Sequence, residues 1–170
     1  MTKPDPLLLQ DVVAQRVIEA MRTASAALTR AGVRHAVAGG LAVGANGHPR
    51  ATRDVDFLVG DEAFEHHSGG LVTLRAGVPF QVNGVAVDFL TIGADEGFLE
   101  AELNPSNAAF LNAPPLVYMK LKASRLQDQA DVVNLIKSSL DIETCRRYLS
   151  TNAPALLPRF DELVARAETE

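Results

Sequence analysis

Apolar residues recur every three or four positions over the first thirty residues of the chain. The members of this stripe are Leu9, Val13, Val17, Met21, Ala24 and Leu28. A period of about 3.6 residues is typical of a helix that buries one face. The stripe therefore predicts an amphipathic helix that begins near Leu8 and ends at Gly32, with Arg30 in its last turn.

The pattern then changes to short apolar runs separated by glycine, proline and asparagine. These runs cover residues 35–38, 54–59, 71–74, 80–82 and 85–92. Runs of this length, bounded by turn residues, are typical of buried strands. A short helix is expected at 41–45, between the first two strands. Asn83-Gly84 predicts a hairpin, because this pair readily adopts the left-handed backbone of a tight β-turn.

Helical signals return in the second half of the chain. We expect helices over residues 95–103, 114–126, 128–139, 142–150 and 155–167. Together the elements predict an α+β fold, in which a mixed β-sheet with flanking helices is followed by a helical C-terminal part. One domain over residues 1–170 is expected, with a core at about 33–136 and a helical tail at 141–168.

Composition narrows the functional classes. No run approaches the roughly 18 apolar residues of a membrane span, and the N-terminus lacks the features of a secretory signal. The single Cys145 cannot form an internal disulfide, so a cytoplasmic protein without a membrane partner is expected. The net charge of −5 argues against general attraction of nucleic acid; a polynucleotide would need a local basic patch.

A pair of acids interrupts the second apolar strand. Asp54 and Asp56 are separated by one residue, so their side chains should lie on the same face of the strand. Partly buried carboxylates that repel each other are costly, and a divalent cation with oxygen ligands relieves that cost. Asp88 lies in another apolar strand and would join them if the two strands are neighbours. The structural alternatives are a solvated edge strand for the pair and a hydrogen-bonding role for Asp88.

Two glycines precede the acid pair. Thirteen residues separate Gly40 from Asp54, which is enough for a short helix and a return to the sheet. Backbone amides near Gly39 and Gly40 could then meet a phosphate beside the same metal, although a glycine pair also marks many ordinary strand-to-helix turns. Arg50, in the loop before the strand, could neutralise phosphate charge. Thr52 could hydrogen-bond the turn that aims Asp54.

These residues resemble a known family. The motifs are Gly39-Gly40, Arg50-x-Thr52-x-Asp54-x-Asp56, Asp88, Lys120-x-x-Ala123-x-Arg125 and Asp128-x-x-Asp131-x-x-x-Leu135. They are similar to the signature of the nucleotidyltransferase fold of the DNA polymerase β superfamily, and more specifically to its small bacterial AbiEii-type branch. The resemblance covers roughly residues 33–136.

The resemblance implies a minimal nucleotidyltransferase fold that uses Mg²⁺ or Mn²⁺ and transfers a nucleotidyl group from a nucleoside triphosphate to a hydroxyl. It implies that Asp54, Asp56 and Asp88 are catalytic and hold the metal. The nucleotide-binding residues would be Gly39, Gly40, Arg50, Lys120, Asp128 and Asp131. Many active members carry Ser where this chain has Gly40, so one phosphate-contacting hydroxyl is missing. The chain is also shorter than typical AbiEii-type toxins, so a second subunit could complete the acceptor region.

Several side chains have simpler interpretations. Lys120 and Lys122 cannot both point into one cleft from the same helix, and we favour Lys120 for that position. The structural alternative is that Lys120 is a solvated lysine. Asp128 and Asp131 could instead pair with Lys122 or Arg125 and hold two helices together. The remaining candidates are expected to be solvated or structural: Arg53, His35, His48, His66, His67 and Cys145.

Three functions compete at this stage. The first is nucleotidyl transfer to an RNA end, a protein side chain or a small molecule, with a second copy or an antitoxin as partner. The second is a catalytically inactive module of the same fold that binds a nucleotide or another protein. The third is a metal-dependent phosphohydrolase or nuclease, for which His or Glu ligands would be expected beside the acid pair.

Overall fold

The computed structural model describes residues 3–106 and 109–170, and the α+β prediction is confirmed. The α-helices are α1 (Gln15–Arg30), α2 (Gly39–Ala45), α3 (Ala113–Ala123), α4 (Leu126–Lys137), α5 (Ile142–Asn152) and α6 (Leu157–Thr169). The strands are β1 (His35–Val37), β2 (Val55–Val59), β3 (Phe64–His66), β4 (Val72–Leu74), β5 (Gln81–Val82) and β6 (Val85–Leu90).

Four strands form a mixed sheet in the order β1-β2-β6-β5. β2 is antiparallel to β1 and parallel to β6, and β5 and β6 form an antiparallel hairpin. Asn83 (φ 48°) and Gly84 (φ 80°) make the turn of that hairpin in the left-handed region, as the Asn-Gly pair predicted. Strands β3 and β4 form a separate two-stranded sheet.

The two faces of strand β2 bury different parts of the protein. Val55, Phe57 and Val59 belong to the core that contains α1, whereas Leu58 belongs to the core built from α3 to α6. Because side chains alternate along a strand, Asp56 lies on the same face as Leu58. The acid pair is therefore directed toward the helical second half of the chain.

The first helix is shorter than predicted. Residues Pro6–Leu9 form a 3₁₀-helix, and α1 begins only at Gln15. The apolar stripe continues across the break, since Leu9 and Val13 are buried in the same core as α1. The periodicity thus reported burial correctly but not helix continuity. The helix expected over 95–103 is likewise a 3₁₀-helix, at Gly97–Glu102.

The helices of the described residues were compared with the length and hydropathy of a membrane-spanning segment. None of them combines the length and the apolar character that crossing a bilayer requires.

Candidate active site

A cleft of about 650 Å³ opens where the sheet meets helices α3 and α4. Its predicted members are Gly39, Gly40, Arg50, Asp54, Asp56, Asp88, Lys120 and Asp128, and Thr52, Arg53 and Arg125 also line it. Asp131 is the one predicted site residue that does not line the cleft. Residues separated by up to 89 positions in the chain therefore share one cavity, because β6 pairs directly with β2 and α3 covers the sheet.

Three acids form one wall of the cleft. Asp56 of β2 and Asp88 of β6 are direct partners in the parallel register, and Asp54 precedes β2 by one residue. Asp54 and Asp88 are exposed, whereas Asp56 is half-buried. Burial raises the pKa of Asp56 above its ordinary value, and the negative charge of Asp88 raises it further, against an opposing effect of Lys120. The proton affinity of Asp56 is thus increased by its surroundings.

The acids have the chemistry of a magnesium site but not a preformed geometry. Three carboxylates supply the oxygen donors that Mg²⁺ prefers, and the raised pKa of Asp56 means that its ionised form is disfavoured, an effect that a bound cation would offset. Within residues 3–106 and 109–170, however, no group of three or more His, Cys, Asp or Glu side chains is placed to hold a metal ion. Metal binding by Asp54, Asp56 and Asp88 stays a prediction.

Gly39 lies against the Asp56 side chain. Its φ of +59° is in the left-handed region that side-chain-bearing residues seldom adopt. A Cβ at this position would overlap the Asp56 carboxylate and would lie 2.9 Å from the Asp56 Cβ. Both the backbone angle and the contact therefore require glycine, and the carboxylate rests directly against the start of α2.

Arg50 connects the loop before β2 to helix α4. Its Nε donates to Asp131 Oδ1 at 2.9 Å, and its Nη2 donates to Asp131 Oδ2 at 3.0 Å. Asp131 is completely buried, and Gln127 adds a further hydrogen bond to it at 3.0 Å. This bidentate pair fixes the plane of the guanidinium, which remains partly exposed at the cleft.

Lys120 is buried between two carboxylates. Its Nζ lies 3.1 Å from Asp128 Oδ1 and 2.9 Å from Asp131 Oδ2. Burial alone would raise the pKa of each aspartate, but hydrogen bonds from Arg125 and Lys120 to Asp128, and from Arg50 and Lys120 to Asp131, lower both. The two acids are therefore held ionised by the cations that they orient.

The alternative interpretation of these helices is partly confirmed. Arg125 pairs with Asp128 as expected, with Nε 2.7 Å from Oδ2, but both residues lie at the start of α4. The ion pairs that join α3 to α4 come from Lys120. Lys122 does not pair with Asp128 or Asp131; its Nζ lies 2.7 Å from Glu96 Oε2 instead. Lys120 and Lys122 thus face different surroundings, as their spacing along α3 predicted.

Other candidate residues lie away from the acids or have structural partners. His66 and His67 are exposed, next to Asp61 and Thr73 respectively. His35 is buried and hydrogen-bonded to Ser25, which agrees with the structural role expected for it. Burial raises the pKa of the Cys145 thiol to about 12, which also agrees with an inert residue.

An apolar side of the cleft was not predicted as part of the site. Leu90, Leu116 and Met119 line it beside the charged residues, together with the polar Gln127. Apolar residues at helical spacing look the same whether they face a core or a cavity, so their pattern gave no separate signal. For Gln127 there was a local signal, since it lies four positions before Asp131 on α4 and its side chain donates a hydrogen bond to that carboxylate.

No protein-family model matches the chain, and no curated protein matches it. Membership of the nucleotidyltransferase superfamily therefore stays a prediction that depends on the residues and their geometry.

Proposed function

We propose that the protein transfers a nucleotidyl group from a nucleoside triphosphate to a hydroxyl, with Mg²⁺ or Mn²⁺ as cofactor. The observation that carries this proposal is the arrangement of charge across the cleft. Asp56 and Asp88 are paired on the sheet, and Arg50 and Lys120, which line the same cleft, are fixed by buried partners. A metal-bound polyphosphate has matching charges, since its cation would face the acids and its phosphates would face the bases.

The acids would hold the metal and take up the acceptor proton. Asp54, Asp56 and Asp88 are the residues that would bind Mg²⁺, which would supply neutralisation of the charge on the phosphates. Asp88 is exposed in the cleft, where its carboxylate could accept the proton of an acceptor hydroxyl. The acceptor oxygen would form a bond to the α-phosphorus, the bond to the bridging oxygen would break, and pyrophosphate would leave.

The bases would bind the phosphates. In the described part of the chain, Arg50 uses Nε and Nη2 for Asp131, and Nη1 makes no hydrogen bond there. Arg125 has an exposed side chain at the cleft in addition to its bond to Asp128. These guanidinium groups are oriented before any ligand arrives, so little conformational freedom would be lost on binding a triphosphate.

One observation favours a second candidate, a nucleotide-binding module without catalysis. Arg50 and Lys120 are held by Asp131 and Asp128, so their orientation toward a phosphate does not depend on the three acids of the sheet. In that case the bases would still bind phosphate, but no transfer would follow.

Isothermal titration of each nucleoside triphosphate, with Mg²⁺ and separately with Mn²⁺, tests the proposal. The double variant Asp54→Asn, Asp56→Asn should lose metal-dependent binding. The control Asp61→Asn changes an exposed acid next to His66, which does not line the cleft, and should bind like wild type. Release of pyrophosphate during incubation with candidate RNA, protein or small-molecule acceptors would then support a transferase. Saturable binding without release would favour the module, and no binding by wild type would contradict both candidates.

A further inference from the structure

The space beside Gly40 is filled by two side chains from the loop that precedes β2. A Cβ on Gly40 would lie 2.8 Å from Thr52 Oγ1, 3.1 Å from Arg50 Nη2 and 3.2 Å from Arg50 Cζ. All three residues line the cleft. A hydroxyl, a guanidinium and a main-chain segment without a side chain therefore meet at one point of the wall.

The Thr52 hydroxyl can donate to a ligand from this position. In the absence of a ligand, Thr52 Oγ1 donates to the backbone carbonyl of Arg50 at 3.1 Å, across only two residues. A hydroxyl proton rotates about the C–O bond, so it can turn from that carbonyl to a stronger, charged acceptor. Thr52 is half-buried, which leaves part of its side chain open to the cleft.

We propose that Thr52 and Arg50 form a phosphate-binding subsite beside Gly40, in which Thr52 supplies the neutral hydroxyl donor. The ligand is a terminal or bridging phosphate of a polyphosphate chain. The identity of the whole ligand as a nucleoside triphosphate rests on the proposed function.

The competing role for Thr52 is purely structural. Its bond to the Arg50 carbonyl holds the turn that leads to Asp54, and loss of that bond would lower stability without regard to ligand. A structural role of this kind would act on a ligand through Asp54 and its metal, and so would affect Mg²⁺-dependent binding. A phosphate donor acts on tripolyphosphate even without Mg²⁺, so the two roles differ in metal-free titrations.

Tripolyphosphate with and without Mg²⁺, each nucleoside triphosphate with Mg²⁺, and the nucleosides alone are the probes for isothermal titration. Thr52→Val keeps the shape of the side chain but removes the donor, and should weaken tripolyphosphate and triphosphate binding about tenfold or more. Thr52→Ser keeps the donor and should bind within about threefold of wild type. Any nucleoside affinity should be the same in all three proteins. Equal phosphate affinity of Thr52→Val and wild type, or a loss shared by Thr52→Ser, would overturn the proposal.

Moving the hydroxyl gives a second test. Thr52→Ala opens the volume beside Gly40, and Gly40→Ser in that background places a hydroxyl into it. Tripolyphosphate affinity should rise severalfold from Thr52→Ala to the double variant. A folded double variant that binds no better than Thr52→Ala would contradict a phosphate subsite in this volume. Thermal unfolding of each variant verifies folding.

The outcomes separate this proposal from the proposed function. Tripolyphosphate binding that depends on Thr52, without binding of any nucleoside triphosphate, would keep the subsite and overturn the nucleotidyl transfer. Triphosphate binding that does not depend on Thr52 would overturn the subsite and leave the nucleotidyl transfer standing. Failure of wild type to bind either probe would overturn both.

Discussion

Two groups of aspartates, one on the sheet and one on helix α4, show how surroundings assign different roles to the same side chain. The cleft acids are Asp54, Asp56 and Asp88, and the anchored acids are Asp128 and Asp131. The cleft acids lie on the sheet near one another, and two of the three are exposed. The anchored acids are buried on α4, and each contacts two basic side chains.

The proton affinities of the two groups shift in opposite directions. Burial and neighbouring negative charge raise the pKa of Asp56, whereas hydrogen bonds from bases outweigh burial and lower the pKa of both anchored acids. A buried acid with its own cations orients those cations, and it has little remaining capacity for a ligand. An acid beside other acids keeps that capacity, which makes the cleft acids the better candidates for binding a metal.

Removing an anchored acid should have the largest effect on stability. Asp131→Asn deprives Arg50 and Lys120 of a charged partner in a buried position, and should lower the free energy of unfolding by about 4 kcal/mol. Urea unfolding measures this change. The matched control is Asp161→Asn, at an exposed acid paired with Arg146, which should change stability by about 0.5 kcal/mol or less.

The pH dependence of the Asp131→Asn effect has a definite sign. Because the folded pKa of Asp131 lies below its ordinary value of 3.8, the stabilisation is complete above that pH. It should disappear as the pH falls through the lowered pKa. A difference between wild type and variant that grows toward acid would contradict the assignment of Asp131 as an anchored acid.

Adding a side chain at Gly39, against Asp56, should have the next largest effect on the free energy of unfolding. Gly39→Ala places a Cβ into the Asp56 side chain at a φ of +59°, and should cost about 3 kcal/mol of unfolding free energy. Gly32→Ala is the matched control, since Gly32 has a φ of +74° with nothing within 4 Å of the added carbon, and should cost about 1 kcal/mol. Equal losses in the two variants would show that the Asp56 contact has no energetic consequence.

Neutralising a cleft acid should have the smallest effect and the opposite sign. Asp56→Asn removes a charge that burial and Asp88 disfavour, so in metal-free buffer it should raise the free energy of unfolding by about 1 kcal/mol. The same variant should lose Mg²⁺-dependent nucleotide binding. Thermal unfolding without Mg²⁺ and titration with Mg²⁺ measure the two effects.

The gain from Asp56→Asn should also depend on pH. Since the folded pKa of Asp56 is raised above 3.8, the wild-type penalty is absent below that pH and develops as the pH rises through the folded value. The advantage of the variant should follow the same course and then remain constant. A destabilised variant at neutral pH would mean that Asp56 has a structural partner in the folded protein.

Local patterns in the sequence predicted much of the fold and the acid wall. The apolar run at 54–59 correctly predicted a buried strand at β2, and Asn83-Gly84 correctly predicted the β5–β6 hairpin. The sequence could not predict that β6 pairs with β2, because strand order depends on contacts between distant segments. It could only indicate that Asp88 would join the acid pair if the two strands were neighbours. The observed strand order places Asp88 opposite Asp56.

Partners across the chain were harder to predict. The structural interpretation expected Asp131 to pair with Lys122 or Arg125, but it contacts Arg50 and Lys120 instead. A role for Asp131 in nucleotide binding stays a prediction. Spacing within one helix reveals which residues share a face, and it contains no information about a loop 81 positions away. The position of the Thr52 side chain beside Gly40 could not be predicted for the same reason, because it depends on how the loop before β2 folds back onto α2.

The Arg50–Asp131 contact also determines when, during synthesis of the chain, the cleft can be completed. A ribosome delivers the N-terminal part first, so Arg50 emerges well before its partner 81 positions later. Until α4 has been synthesised, the guanidinium lacks the carboxylate that orients it. A nascent chain that ends before residue 131 would therefore have the acid wall in its sequence but no completed cleft, and any activity of this site would begin only after α4 has been made.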